Sequence, residues 1–200
     1  MTWKIQRVDM PWPHIIIDNF FDAVDFNDIN EEIDSIKDVL NESPESFSSD
    51  VTYNADDLYK YSADSTAHAD VFTYPTLIKP YFNLLNKQFL DKHFPNHREI
   101  HNDIKSETTT QITERGYYYP KHNNASREVM SAVVYMSGAG AGITIYDSQG
   151  NNGSDIRWKL NRAVIFAPLD NITWHSYKAN PVCGRATLSH NIIRTGNRPS

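Results

Sequence analysis

The sequence predicts an α+β fold that is mainly β, a jelly-roll barrel of two antiparallel sheets with N-terminal helices packed on one outer face. Three observations lead there. Apolar residues at helical spacing are confined to the first half of the chain. From about Ser106 onward the texture changes to short runs of Thr, Val, Ile and Tyr punctuated by Gly, Asn and Pro. Helix-like and strand-like segments never alternate in the β-α-β order that a parallel sheet requires. The 200 residues make one domain, 1–200, with a helical N-terminal half of about 1–105 and a β-barrel core of about 106–194.

Taken in order, Ile15-Ile16-Ile17 is a β-branched run after Pro11 and Pro13, closed by Asp18-Asn19, and reads as a strand entering the sheet. Ile29, Ile33, Ile36 and Leu40 then recur at helical spacing with charged residues between them, and Asp25 or Asn27 caps the start. Residues 41 to 70 are polar and without a period, which predicts a long surface loop able to cover a barrel mouth as a lid. Leu77, Tyr81, Leu85 and Phe89 lie four apart and predict a helix over 76 to 91, with Pro80 tolerable only in its first turn and Pro95 beyond its end. Strands follow near 107 to 113, 116 to 122, 129 to 136, 143 to 147, 155 to 158, 162 to 166, 172 to 177 and 184 to 192, the spacing of a two-sheet antiparallel barrel. Thr195 to Ser200 reads as a frayed tail.

Composition narrows the function classes. Lys and Arg total 19 against 25 Asp and Glu, a formal charge of -6, and no basic run is available to neutralise a phosphate backbone; nucleic acid is excluded as a direct partner. No stretch approaches the ~18 apolar residues of a membrane span. Cys183 is the only cysteine and residues 1–7 carry no signal-type apolar region, so a soluble, cytoplasmic protein is expected. Nothing in the sequence sets the oligomeric state.

Three features of the β half carry chemistry: His122-Asn123-Asn124, His175 in Thr-Trp-His-Ser-Tyr, and Arg185-Ala186-Thr187. Residues two apart on a strand point the same way, so His122 and Asn124 reach one point while Asn123 faces elsewhere. His175 lies on a separate strand that the barrel brings opposite that pair, and Arg185 projects from the strand after it. Other groupings are weaker. His93, His97 and His101 are spaced for one helix face, but Pro95 breaks the helix, and His97 to His101 misplaces the glutamate of a zinc-protease motif. Gly138 to Gly142 lacks the following helix and Lys-Ser/Thr of a phosphate loop and reads as a turn. His14, His68 and His190 have no partner arrangement, and Cys183 has no base nearby in sequence.

This pattern resembles the Fe(II) and 2-oxoglutarate dependent dioxygenases, in particular the prolyl-4-hydroxylase-like branch, over most of the chain. Residues 11 to 21, Pro-Trp-Pro-His-Ile-Ile-Ile-Asp-Asn-Phe-Phe, resemble that family's first strand, and Tyr119 matches the aromatic residue three before the metal motif. Ser131 to Met136 with Gly140-Ala141-Gly142 resembles its Tyr-Leu strand and Gly-Gly turn, and Asn161 to Phe166 the strand before the distal histidine. The resemblance implies a double-stranded β-helix, a cupin-like barrel, that hydroxylates a C–H bond of a peptidyl or small-molecule substrate. It implies Fe(II) held by His122, Asn124 and His175, with 2-oxoglutarate as cosubstrate held by Arg185 and Thr187 beside Tyr119, and ascorbate as an accessory. Two imidazoles and a carboxylate would leave iron positions open for cosubstrate and oxygen, and arginine can grip the far carboxylate with two parallel hydrogen bonds.

Asn124 departs from the pattern, which has Asp or Glu there. At about 2 Å and an effective dielectric of roughly 20, a missing unit charge is worth on the order of several kcal/mol. A halogenase, whose vacancy needs Ala or Gly, does not fit. Asn124 is therefore a replaced residue, a weak natural ligand, or the mark of a non-catalytic jelly-roll binding module; alternatively Glu128 or Asp147 supplies the carboxylate. A cupin-like metalloprotein without cosubstrate would leave Arg185 without a role.

Overall fold

Alternation of side chains along each long strand builds the molecule in layers. On the strand Glu128–Gly138, Met130, Ala132, Val134 and Met136 pack with the helices, whereas Val133 and Tyr135 turn to the opposite side. Arg185–Arg194 repeats the pattern, with Ala186, Leu188 and Ile192 toward the helices. The computed structural model describes residues 3–42, 50–54, 74–95, 104–113, 116, 118–123 and 128–194. Its elements are β1 (Ile5–Val8), β2 (His14–Asp18), α1 (Ala23–Glu42), β3 (Asp50–Asn54), α2 (Tyr74–Phe82), α3 (Lys87–His93), β4 (Ile104–Thr113), β5 (Tyr118–His122), β6 (Glu128–Gly138), β7 (Gly140–Ile145), β8 (Ser154–Ile156), β9 (Arg162–Phe166), β10 (His175–Ala179) and β11 (Arg185–Arg194).

The strands form a seven-stranded sheet, β1-β2-β9-β6-β11-β4-β3, and a four-stranded sheet, β5-β10-β7-β8, with every pairing antiparallel. Between the sheets lies a cluster of Trp12, Tyr135, Ile143, Ile145, Ile156, Val164 and Phe166. The larger core joins the other face of the seven-stranded sheet to Ile29 and Ile33 of α1, Ile78, Tyr81 and Phe82 of α2, and Leu90 of α3. This is an α+β, mainly β jelly roll with its helices on one face. No helix among the described residues is long and apolar enough to cross a membrane.

Several local expectations are corrected. The cap of α1 is Asp22, whose Oδ1 accepts from Val24 N (3.1 Å) and Asp25 N (3.0 Å), while the Asp25 carboxylate accepts from the Tyr81 hydroxyl on α2 (2.5 Å). The helix over 76 to 91 is two helices. Leu84 N and Leu85 N bond three residues back in a tight turn, and Asn86 starts α3 by accepting from Gln88 N (2.9 Å) and Phe89 N (3.2 Å). Leu85 and Leu90 stay buried on both sides of the break, so the apolar spacing survives it. Pro80 sits in the second turn of α2, and the helix closes two residues later. The N-terminal half also contributes β1, β2 and β3 to the large sheet, β3 falling inside the expected 41-to-70 loop. β10 starts at His175 because residues 169–174 form a turn, with Ile172 N and Thr173 N bonded to Leu169 O. The rest of the 41-to-70 stretch that extends past 54, along with His68, His97, His101, Asn124 and the 195–200 tail, lies outside the described residues.

Glycine is required at two positions, Gly138 just before β7 and Gly142 within it. Gly138, with φ +93, passes so close to the β10–β11 turn that a Cβ would stand 2.1 Å from Gly184 O, and Gly142, with φ +90, would place one 1.9 Å from Ile156 O. The Gly138-to-Gly142 segment is thus the corner through which the chain passes from one sheet to the other.

Candidate active site

β5 and β10 are neighbours in the small sheet, with His175 directly opposite His122 and Tyr177 opposite Tyr119. The two imidazole centroids are 4.2 Å apart. Both rings are oriented by the same device, His122 Nδ1 lying 2.9 Å from Pro120 O and His175 Nδ1 2.9 Å from Thr173 O. A carbonyl can only accept, so each ring carries its proton on Nδ1 and presents Nε2 as a bare lone pair. Burial holds His122 below its ordinary pKa and, together with the charge of His122, pushes His175 down to about 4. Two neutral imidazoles with free Nε2 atoms suit a divalent transition metal such as Fe(II).

Among the described residues no group of three His, Cys, Asp or Glu side chains is placed to hold a metal ion. Glu128 lines the cavity, but the Ser131 hydroxyl donates to its Oε2 at 3.0 Å. Asp147 organises an exposed turn, accepting from Gln149 N, Asn151 N and Asn152 Nδ2. Neither completes the pair. Asn123 turns away as its strand position predicts, its Nδ2 donating to Leu169 O at 3.0 Å.

The opposite wall is the inner face of β11, where Arg185 and Thr187 follow the same parity. Arg185 is 2% exposed and Thr187 fully buried. The guanidinium carbon lies 3.7 Å from the Tyr177 ring centroid and 5.4 Å from that of Trp158, an aromatic clamp. Arg185 Nε, Arg185 Nη1 and Thr187 Oγ1 are all buried with no hydrogen-bond partner. Burial pulls the arginine pKa below its ordinary value, against the opposing influence of Tyr177 and Tyr135. Unpaired buried donors on a cation mark a place for an anion, because desolvation without a partner is costly. A cavity of about 190 Å³ reaches both walls, touching His122, His175, Tyr177 and Arg185.

Tyr119 packs edge-on against His122 (4.4 Å) and stacks on Tyr177 (5.3 Å, 7°), so an aromatic chain runs from the histidines to the arginine. The sequence reading missed three members of this wall. Tyr177 shares its strand face with His175, a parity signal that was available. Tyr135 stands in the Ser131-to-Met136 strand; its hydroxyl accepts from Ile143 N at 3.0 Å, and burial pushes its pKa up to about 12, so it keeps a proton to donate. Trp158, stacked on Tyr135 at 4.3 Å, has no sequence signal.

No family model and no curated protein matches the sequence. Solved structures do match. A Pseudomonas putida prolyl-4-hydroxylase superposes with a TM-score of 0.59 at 13% identity, over 92% of this chain and 88% of the other. A viral collagen prolyl hydroxylase from Paramecium bursaria Chlorella virus-1, crystallised with 2-oxoglutarate, gives 0.55 at 13% identity over 92% and 96%. A Trichoplax adhaerens prolyl hydroxylase, in complex with a peptide fragment of the hypoxia inducible factor oxygen degradation domain, gives 0.58 at 13% over 90% and 83%.

The fold is that of the prolyl 4-hydroxylases. In this prolyl-hydroxylase fold the small sheet carries the two histidines on β5 and β10, and the large sheet carries the buried arginine on β11.

Proposed function

We propose that this chain is an Fe(II)- and 2-oxoglutarate-dependent oxygenase that hydroxylates a C–H bond of a peptidyl or small-molecule substrate in the cytoplasm. The observation that carries the reading is Arg185: a clamped, buried guanidinium with open Nε and Nη1, in the same cavity as two neutral imidazoles presenting Nε2. His122 and His175 would hold the metal, with the Asn124 amide as the uncharged third ligand. Arg185 and Thr187 would take the distal carboxylate of 2-oxoglutarate. When bound, iron would activate dioxygen, the oxidant, with 2-oxoglutarate giving up two electrons as it becomes succinate and CO2; one oxygen atom would go to succinate and the other to the substrate C–H bond. The protein's own part is positional. Carbonyls of Pro120 and Thr173 keep protons off Nε2, and the Tyr119–Tyr177 stack keeps water from the guanidinium so that a carboxylate meets an undersolvated partner. The Trichoplax neighbour's peptide complex supports a peptidyl substrate.

The test is succinate formation from 2-oxoglutarate by the full chain in air with Fe(II) and ascorbate. Turnover is expected in the wild type and its loss in His175→Ala and in Arg185→Ala. The uncharged Asn124 favours a second reading, a non-catalytic binding module. On that reading 2-oxoglutarate binds and no succinate forms.

A further inference from the structure

Trp158 is the third residue beside Arg185 and Thr187 to carry an orphaned buried donor. The indole N–H can only donate, and two other indoles of this chain have carbonyl partners: Trp3 Nε1 donates to Phe20 O at 2.9 Å and Trp12 Nε1 to Tyr146 O at 3.0 Å. Trp158 Nε1 is buried and has none. Buried unsatisfied donors are few in native proteins, and each calls for a reason. Here the reason lies beside it. The ring is fixed by stacking on Tyr135 (4.3 Å, 9°) and stands 5.4 Å from the Arg185 guanidinium carbon, whose Nε and Nη1 are orphaned in the same way, as is Thr187 Oγ1. Thr187 is itself opposite Tyr135 in the β11–β6 register. The orphaned donors of Arg185, Thr187 and Trp158 are thus gathered around Tyr135, which holds a further O–H.

We infer that the Trp158 indole N–H is a binding residue for the distal carboxylate of 2-oxoglutarate, donating to it alongside Arg185 and Thr187. This rests on the oxygenase reading above. A neutral donor set back from the guanidinium adds direction to a charge that aromatic rings hold but do not orient, so its loss falls on cosubstrate affinity rather than on iron.

The experiment is anaerobic calorimetric titration of the Fe(II)-loaded full chain with 2-oxoglutarate, for the wild type, Trp158→Phe and Arg185→Ala. Phenylalanine keeps an aromatic ring against Tyr135 and removes the donor together with part of the indole's bulk. Binding is expected to weaken roughly tenfold or more in Trp158→Phe, as for loss of a hydrogen bond to a charged group, with Fe(II) affinity unchanged. A second readout needs no variant of that residue to fold. In the Zn(II)-loaded wild type the Trp158 indole ¹⁵N–H resonance should move downfield on adding 2-oxoglutarate, while those of Trp3 and Trp12 stay in place. If Trp158→Phe binds as the wild type does and the wild-type Trp158 resonance is unmoved, while Arg185→Ala abolishes binding, the role of Trp158 is overturned and the oxygenase reading stands. If the wild type binds no 2-oxoglutarate, both fall together.

Discussion

A guanidinium held between two aromatic rings, with Nε and Nη1 unpaired, costs the folded chain free energy that a ligand's carboxylate would return. Replacing it with an apolar residue of similar length should therefore separate stability from function. Arg185→Met is expected to stabilise the ligand-free protein by about 1 kcal/mol or more, which for a chain of this size raises Tm by about 2–4 °C, and to abolish 2-oxoglutarate binding. Thermal melts with and without 2-oxoglutarate check both; a variant that melts lower than the wild type would mean that the arginine is structural. Strand parity put Arg185 and Thr187 on one face, and the family resemblance, with the ten-residue step from His175 to Arg185, singled them out together with His122 and His175. Their partners were not legible in the sequence. The carbonyls of Pro120 and Thr173 that orient the imidazoles are backbone atoms and carry no residue signature, and Trp158 reaches the arginine from β8's flank, far away in sequence.

At the scale of elements, the corners and joints set where these side chains point. Gly142→Ala would place a Cβ 1.9 Å from Ile156 O at a φ of +90, and a loss of ~3 kcal/mol or more is expected from the backbone shift at the β7–β8 pair. Asn161 is a second joint. At φ +58 it holds Phe21 through both side-chain atoms, its Oδ1 accepting from Phe21 N and its Nδ2 donating to Phe21 O, each at 2.9 Å. Asn161→Ala leaves both of those groups unpaired and should cost ~2–4 kcal/mol in urea unfolding; Asn161→Gly, which relieves only the backbone conformation, should recover about 1 kcal/mol of that. The predicted helix over 76 to 91 shows why such joints escape a periodicity argument. Leu77, Tyr81, Leu85 and Phe89 keep their spacing across a break that the Asn86 side chain makes, because the same core collects residues from both helices. β1 and β3 are the two edge strands of the large sheet, and the mostly exposed Ile5–Val8 of β1 lacks the alternation that burial imposes.

For the molecule as a whole, the two-layer division explains both what the sequence could reveal and how stability depends on pH. The inner and outer faces of β6, β9 and β11 are sorted by residue parity, so the jelly roll could be read from composition and turns alone. Two buried groups then set the acid limit. His190 sits on the helix-side face of β11, stacked on Phe82 at 4.4 Å and hydrogen-bonded to Thr108 Oγ1 at 2.8 Å, and burial pushes its pKa down to about 4. The unfolded chain binds that proton near pH 6.5 and the folded chain only near 4, so stability falls as pH drops through this window, by on the order of 3 kcal/mol for the one group. His175 adds to the same slope in the metal-free protein. Melts between pH 7 and 4 should show the loss, and His190→Phe should make the slope shallower by about one proton; an unchanged slope would mean that His190 is not the group responsible.

Anaerobic titration of the full chain with Fe(II) and 2-oxoglutarate tests whether one cavity takes both together, as proposed. Run beside it, Asn124→Asp separates the two readings, since a response in that variant alone would make the natural chain a binding module. The weak visible charge-transfer band is expected in the wild type, with tighter Fe(II) binding in Asn124→Asp and no band in Arg185→Ala. A band absent from both the wild type and Asn124→Asp would overturn the oxygenase reading.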